Sequence, residues 1–203
     1  MTRRSLSSRY PIAGIDFGSR YAGTTAIAVC FEDGSLRLLR STSGQDSDLV
    51  ISQAVADLKI RSITIDAPLS LPKIYRTSAS TGDFLFRRSD RELRALSPLF
   101  LGGLTARAIA LARLLRSRRV QVYEGYPAAI VRELKIRIQG YKKGNVPSTV
   151  PLSLRRALGL RGTSPKVRSW HDIDALLALV TMQRILNGTS RPFGERREGQ
   201  IWV

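Results

Sequence analysis

A chain of 203 residues with 43% hydrophobic content suits one domain of roughly 190 residues around a single core, and no apolar run nears the ~20 residues of a membrane span. The lone cysteine, Cys30, excludes a disulfide framework and fits a reducing cytoplasm, with Cys30 itself a small buried hydrophobe. The 33 Lys and Arg against 16 Asp and Glu give a net charge of +17, well beyond the ~2 to 8 that solubility asks of a small domain. A polyanion such as nucleic acid is the partner this implies, with an Arg-rich lineage as the rival explanation.

Residues 1–10, "MTRRSLSSRY", carry arginine and serine but no acid and no apolar core, so they form a short basic tail ahead of one domain over 11–203. "PIAGIDFG", "GTTAIAVCF" and "LRLLRS" are strand-like, and Asp33-Gly34 between the last two is a hairpin signal because glycine accepts the positive φ of a tight turn. Three strands in a meander follow. "DLVISQAVADLK" has helical spacing and an acidic start. "SITIDAP" is a short apolar strand stopped by Pro68. Residues 69–88 lose all periodicity and form a long loop of the kind that carries function.

"SDRELRAL" is a short capped helix and "LTARAIALARLLRS" an amphipathic one. "VQVYEGYP" is the next strand and "AAIVRELKI" the helix after it. "QGYKKGNVPSTVP" is a Gly/Pro/Lys-rich loop, "LSLRRALGL" a short helix, and "WHDIDALLALVTMQRIL" the last long helix. "GQIWV" adds a closing strand. This order gives a mixed sheet begun by a meander and continued by right-handed crossovers.

Three strands carry one acid each near the carboxyl end: Asp16, Asp66 and Glu124. In an open α/β sheet ligands gather at that edge, so side chains from neighbouring strands can meet there. In the last helix His171 and Asp174 are three apart and share a face, whereas Asp172 points elsewhere and suits the helix N-terminus. Clustered carboxylates repel one another unless a cation lies between them. Mg²⁺ and Mn²⁺ take such oxygen ligands, and two ions ~3.5 to 4 Å apart drive phosphodiester hydrolysis.

Arg87, Arg91 and Arg94 would share a helix face, with Arg88 beside them, and guanidinium forks suit phosphate oxygens. Tyr141, Lys142 and Lys143 form a basic loop whose aromatic ring can stack on a base. Trp170 reads as core.

"GIDFGSRYAG" resembles the first strand and turn of the ribonuclease H-like superfamily, and "HDIDALLALV" resembles the His-x-x-Asp-Ala helix of RuvC-type Holliday junction resolvases. "GIDFG", "ITIDAPLSLP", "RRSDRELR", "LTARAIALARLL", "YEGYPAAIV" and "HDIDALLALVTM" together resemble an uncharacterised family of ribonuclease H-like proteins described as predicted nucleases. The likeness spans residues 12–203. It implies a ribonuclease H-like α/β fold, a five-stranded mixed sheet of order 3-2-1-4-5 with strand 2 antiparallel, flanked by helices. It also implies a nuclease that hydrolyses phosphodiester bonds in DNA or RNA with two Mg²⁺ or Mn²⁺ ions.

In that pattern Asp16 bridges both metals and Asp66 is the fourth-strand acid. Asp174, with His171, holds the second metal and orients water. RuvC-type enzymes place glutamate on the fourth strand, where this chain has the shorter Asp66 followed by Ala-Pro. Glu124 belongs to the closer family's pattern alone. RuvC-type resolvases act as dimers, which leaves room for a homodimer. The rival readings are a non-catalytic nucleic-acid-binding or scaffold protein of the same fold and, further off, an actin-like or sugar-kinase-type phosphotransferase, which needs two such domains.

Overall fold

The computed structural model describes residues 10–75, 82–160 and 163–203. The basic tail lies outside these but for Tyr10, as does part of the loop expected over 69–88. Along the chain run β1 (Ile12–Asp16), β2 (Ala26–Cys30), β3 (Leu36–Arg40), α1 (Ser47–Asp57) and β4 (Ser62–Asp66). Then come α2 (Arg88–Leu93), α3 (Pro98–Leu101), α4 (Gly103–Ser117), β5 (Gln121–Gly125) and α5 (Pro127–Glu133). α6 (Leu152–Ala157), α7 (Trp170–Leu186), β6 (Pro192–Phe193) and β7 (Ile201–Trp202) complete it. Among the described residues no helix is long and apolar enough to cross a membrane.

The sheet order is β3-β2-β1-β4-β5-β7-β6. β2 runs antiparallel to β1 and β3, and β4 and β5 are parallel to β1. The first five strands therefore take the expected order, but the sheet has seven strands and not five. β7 (Ile201–Trp202) is the closing strand expected from "GQIWV", whereas β6, two residues long, is too short for an alternating pattern to register. At the Asp33-Gly34 turn, Gly34 has φ +82° and its N–H donates to the Phe31 carbonyl at 2.9 Å, while Asp33 Oδ1 accepts from the Ser35 N–H.

Alternation along the strands sorts the two faces. Ala13, Ile15 and Phe17 of β1 and its turn join Ile63 and Ile65 of β4 and Val122 of β5 in a core beneath α1 and α4. The opposite parity, Ile12, Gly14 and Asp16 in β1, faces α7. α7 is apolar almost all round, buried continuously from Asp172 to Met182, as a helix covered on every side must be. It packs with α5 and α6 in a second core.

Gly14 is where α7 rests on the sheet. A Cβ there would stand 2.0 Å from the Leu179 nitrogen and 2.3 Å from the Ala175 carbonyl oxygen, so no side chain fits without lifting the helix. Gly14→Ala is expected to cost about 3 kcal/mol, read as a lower urea midpoint; an unchanged midpoint would contradict this close approach.

Candidate metal centre

β1 and β4 pair in parallel with Asp16 opposite Asp66. Both lie on the α7 side of the sheet by strand parity, and each is the last residue of its strand. After Asp16 the chain turns, held by the Gly18 and Ser19 N–H groups donating to the Thr25 and Thr24 hydroxyls at 3.1 Å each. α7 brings Asp174 down onto the pair. One carboxylate oxygen from each of Asp16, Asp66 and Asp174 lies within 4.8 Å of the others.

The start of α7 is fixed by a capping box. Ser169 Oγ accepts from the Asp172 N–H, and Asp172 accepts from the Ser169 and Arg168 N–H groups at 3.2 and 2.6 Å. Arg40 adds a fork, Nε and Nη2 donating to the two oxygens of Asp172 at 2.8 and 2.9 Å. Asp172 thus serves the helix end, and α7 is tied at its first turn to β3. Arg40 stands in one row of the sheet with Ala26, Asp16 and Asp66. Its role was missed in the sequence, although the meander register places it two strands from Asp16 in the same row of the sheet.

His171 lies 2.6 Å from Asp16, Nδ1 to Oδ2. That bond, together with the charges of Asp16 and Asp174, holds the imidazole pKa above its ordinary value against partial burial. It is the chain's one histidine, so its titration is a single unambiguous NMR signal. The imidazole is expected to titrate above ~6.5 and to fall back towards that value in Asp16→Asn. A titration unmoved by the substitution would remove the His171–Asp16 bond from the site.

Asp174 accepts from the Tyr141 hydroxyl, and Lys142 Nζ pairs with its other oxygen at 2.7 Å. Burial nevertheless outweighs these donors and raises its carboxyl pKa. Burial lowers the Lys142 ammonium, but Asp174, Asp66 and Asp16 more than offset it and the net shift is upward. The loop is held by Trp170, whose indole donates to the Gly144 carbonyl at 3.2 Å and whose ring meets Tyr141 edge-on.

Among the described residues Asp66 makes no ion pair and accepts no hydrogen bond. Its carboxyl is pushed well above the usual range, first by desolvation and then by the charges of Asp16 and Asp174. Three carboxylates, one of them unpartnered, form an all-oxygen donor set that suits a hard divalent cation.

Glu124 is not part of this group. It pairs with Ile65 rather than Asp66, and that one-residue offset turns it to the opposite face. There Arg87 Nη1 and Nη2 donate to its two oxygens at 2.7 and 2.6 Å, and the Leu69 N–H donates at 2.8 Å. Arg87 also bonds both oxygens of Asp90 and the Ser70 hydroxyl. With 1% exposure it is not available to phosphate. The predicted shared face of Arg87, Arg91 and Arg94 fails because α2 covers only Arg88–Leu93: Arg87 is its extended N-cap, turned inward, and Arg94 is its left-handed C-cap.

Arg88 and Arg91 are exposed, paired with Glu92 at 2.8 Å and Asp83 at 2.6 Å. Arg94 and Lys143 are exposed as well. Tyr141 and Lys142, expected to meet nucleic acid, both contact Asp174. No protein-family model matches the chain, and a search of curated proteins returns no match.

Proposed function

We propose that this protein is a nuclease of ribonuclease H-like fold that hydrolyses phosphodiester bonds in DNA or RNA and depends on Mg²⁺ or Mn²⁺. The observation that carries the reading is the convergence of Asp16, Asp66 and Asp174 within 4.8 Å in a chain of net charge +17. Acids gathered in a basic protein make physical sense when they hold cations and the surrounding Arg and Lys attract the phosphate backbone. The order of the first five strands supports the fold named.

Asp16, Asp66 and Asp174 would be the ligands of a pair of divalent ions. When bound, such ions lower the pKa of water and offset charge on the leaving oxygen. His171 orients Asp16 through its Nδ1 contact. Tyr141 and Lys142 fix the carboxylate of Asp174, and Lys142 keeps a positive charge against the acidic group. Arg40, through Asp172, sets the depth of α7 and so of both its acidic and imidazole groups.

Incubation of the pure protein with labelled branched DNA, duplex DNA and RNA in Mn²⁺ tests this. Cleavage that needs the metal is the expected result, and no cleavage of any substrate ends the proposal. The second reading, a nucleic-acid-binding protein without turnover, is favoured by one contact, the Lys142–Asp174 pair, in which an internal ammonium already compensates part of the acidic charge.

A further inference from the structure

At the edge of the sheet opposite the carboxylates, α1 and α4 end side by side. Both end in the same turn. The Lys59 and Ile60 N–H groups donate to the Ala56 and Val55 carbonyls, and the Arg119 and Val120 N–H groups donate to those of Arg116 and Leu115. This is the helix stop in which the residue after the cap takes the left-handed conformation, a position that favours glycine because a Cβ meets the backbone there.

The chain uses glycine for that purpose after α6 and α7, where Gly159 and Gly188 have φ +67° and +65°, and lysine after α5, where Lys135 has φ +50°. Lys59 and Arg119 hold φ +54° and +62°. Among the described residues every non-glycine at positive φ is Lys or Arg, where asparagine and aspartate are the usual non-glycine choices. The attraction of a helix C-terminus for cations acts equally at α6 and α7, so it does not account for the difference.

The two turns are neighbours. The Gln121 N–H donates to the Arg61 carbonyl at 2.8 Å, Ser62 lies opposite Gln121 in the parallel pair, and adjacent strands are ~4.8 Å apart. Lys59, Arg61, Arg118 and Arg119 therefore crowd one short edge. All four are exposed, and among the described residues none of their side chains makes an ion pair or hydrogen bond. Asp57, at the end of α1, is the acid nearest them in sequence. Four like charges held together without partners form a surface suited to an outside polyanion.

We propose that Lys59, Arg61, Arg118 and Arg119 form a second phosphate-binding surface that grips the nucleic acid backbone away from the carboxylates. The inference rests on the nucleic-acid reading above and names where the substrate is held. Asp66 lies five residues beyond Arg61 along β4, about 17 Å at ~3.3 Å per residue. The straight line between them runs through the core, where Ile63 and Ile65 are 0% exposed, so a duplex has to pass around the domain to touch both ends and needs more than about five pairs at 3.4 Å each. The surface thus adds affinity for long substrates and nothing for the shortest.

Glycine at the two turns provides the test, since it suits the backbone and removes the charge. Lys59→Gly/Arg119→Gly, and the same protein with Arg61→Gln and Arg118→Gln added, are compared with the parent. Anisotropy of a labelled 20-pair DNA duplex is followed across a salt series in EDTA, where no cleavage occurs. The double variant is expected to melt no lower than the parent, and the quadruple variant to bind at least about tenfold more weakly. The slope of log affinity against log salt should flatten by ~0.9 for each phosphate that is no longer neutralised.

Equal affinity and slope in parent and quadruple variant overturns the inference. So does tighter binding to phosphatidylserine vesicles than to the duplex, abolished in the quadruple variant, which would make the patch a membrane-binding surface. Because binding is read without metal, a weakened variant alongside a parent that never cleaves would sink the nuclease reading alone.

Discussion

Asp16→Asn is expected to lower metal-dependent cleavage by more than ~100-fold, beyond what the loss of an outer partner of a metal ligand costs, while the fold survives. Asp16 stands between Asp66, its opposite number across β1 and β4, and His171, 2.6 Å away. The substitution keeps the shape of the side chain and removes one of three charges that repel one another. Without metal the variant is expected to be at least as heat-stable as the parent, because Asp66 is freed from the strongest of the three carboxylates that raise its pKa, those of Asp16, Asp174 and Glu124. With Mn²⁺ the order reverses: the parent gains stability in proportion to occupancy and the variant does not. Calorimetric titration with Mn²⁺ and thermal melts with and without it check both halves. Equal Mn²⁺ affinity in the two proteins would remove Asp16 from the ligand set.

Arg87→Met is expected to destabilise the fold by about 3 to 5 kcal/mol, the range for stranding a buried charge. Arg87, Asp90 and Glu124 are 1%, 0% and 5% exposed, and the guanidinium bonds both carboxylates within 3.0 Å. Its removal leaves two acids in the core without a cation. For a chain of this size that is a fall of roughly 6 to 20 °C in melting midpoint. Arg87→Lys keeps the charge but has no planar fork to span two carboxylates, so it recovers only part of the loss. The triple replacement of Arg87, Asp90 and Glu124 by apolar residues of similar volume should be far milder than Arg87→Met alone. A midpoint within a degree or two of the parent for Arg87→Met would show that the network contributes little. The same network reaches the three clustered acids indirectly, since Glu124 and Arg87 hold Leu69 and Ser70 of the segment that leaves Asp66.

Much of this was legible in the sequence wherever a short-range rule applies. The α7 pattern marks Trp170–Leu186 at both ends, because a continuous apolar run with a Ser-x-x-Asp start admits few other readings. The Asp33-Gly34 turn fixes the register of the β2–β3 hairpin. Asp16 and Asp66 each close a five-residue strand, so once the strands are parallel neighbours the two acids meet. The same counting, applied one strand further, places Glu124 beside Ile65 and so on the wrong face.

Tertiary structure alone decided which cation each acid meets. The segment carrying Tyr141 and Lys142 has no periodicity, so nothing local says that it folds back on Asp174. Arg87 lies one residue before α2 begins, and that single position separates a phosphate-facing arginine from a buried one. The chain wrote the positions of its acids into strand parity, a rule of period two, but charge pairing acts between residues as far apart as Arg40 and Asp172, and only the closed fold selects the partners.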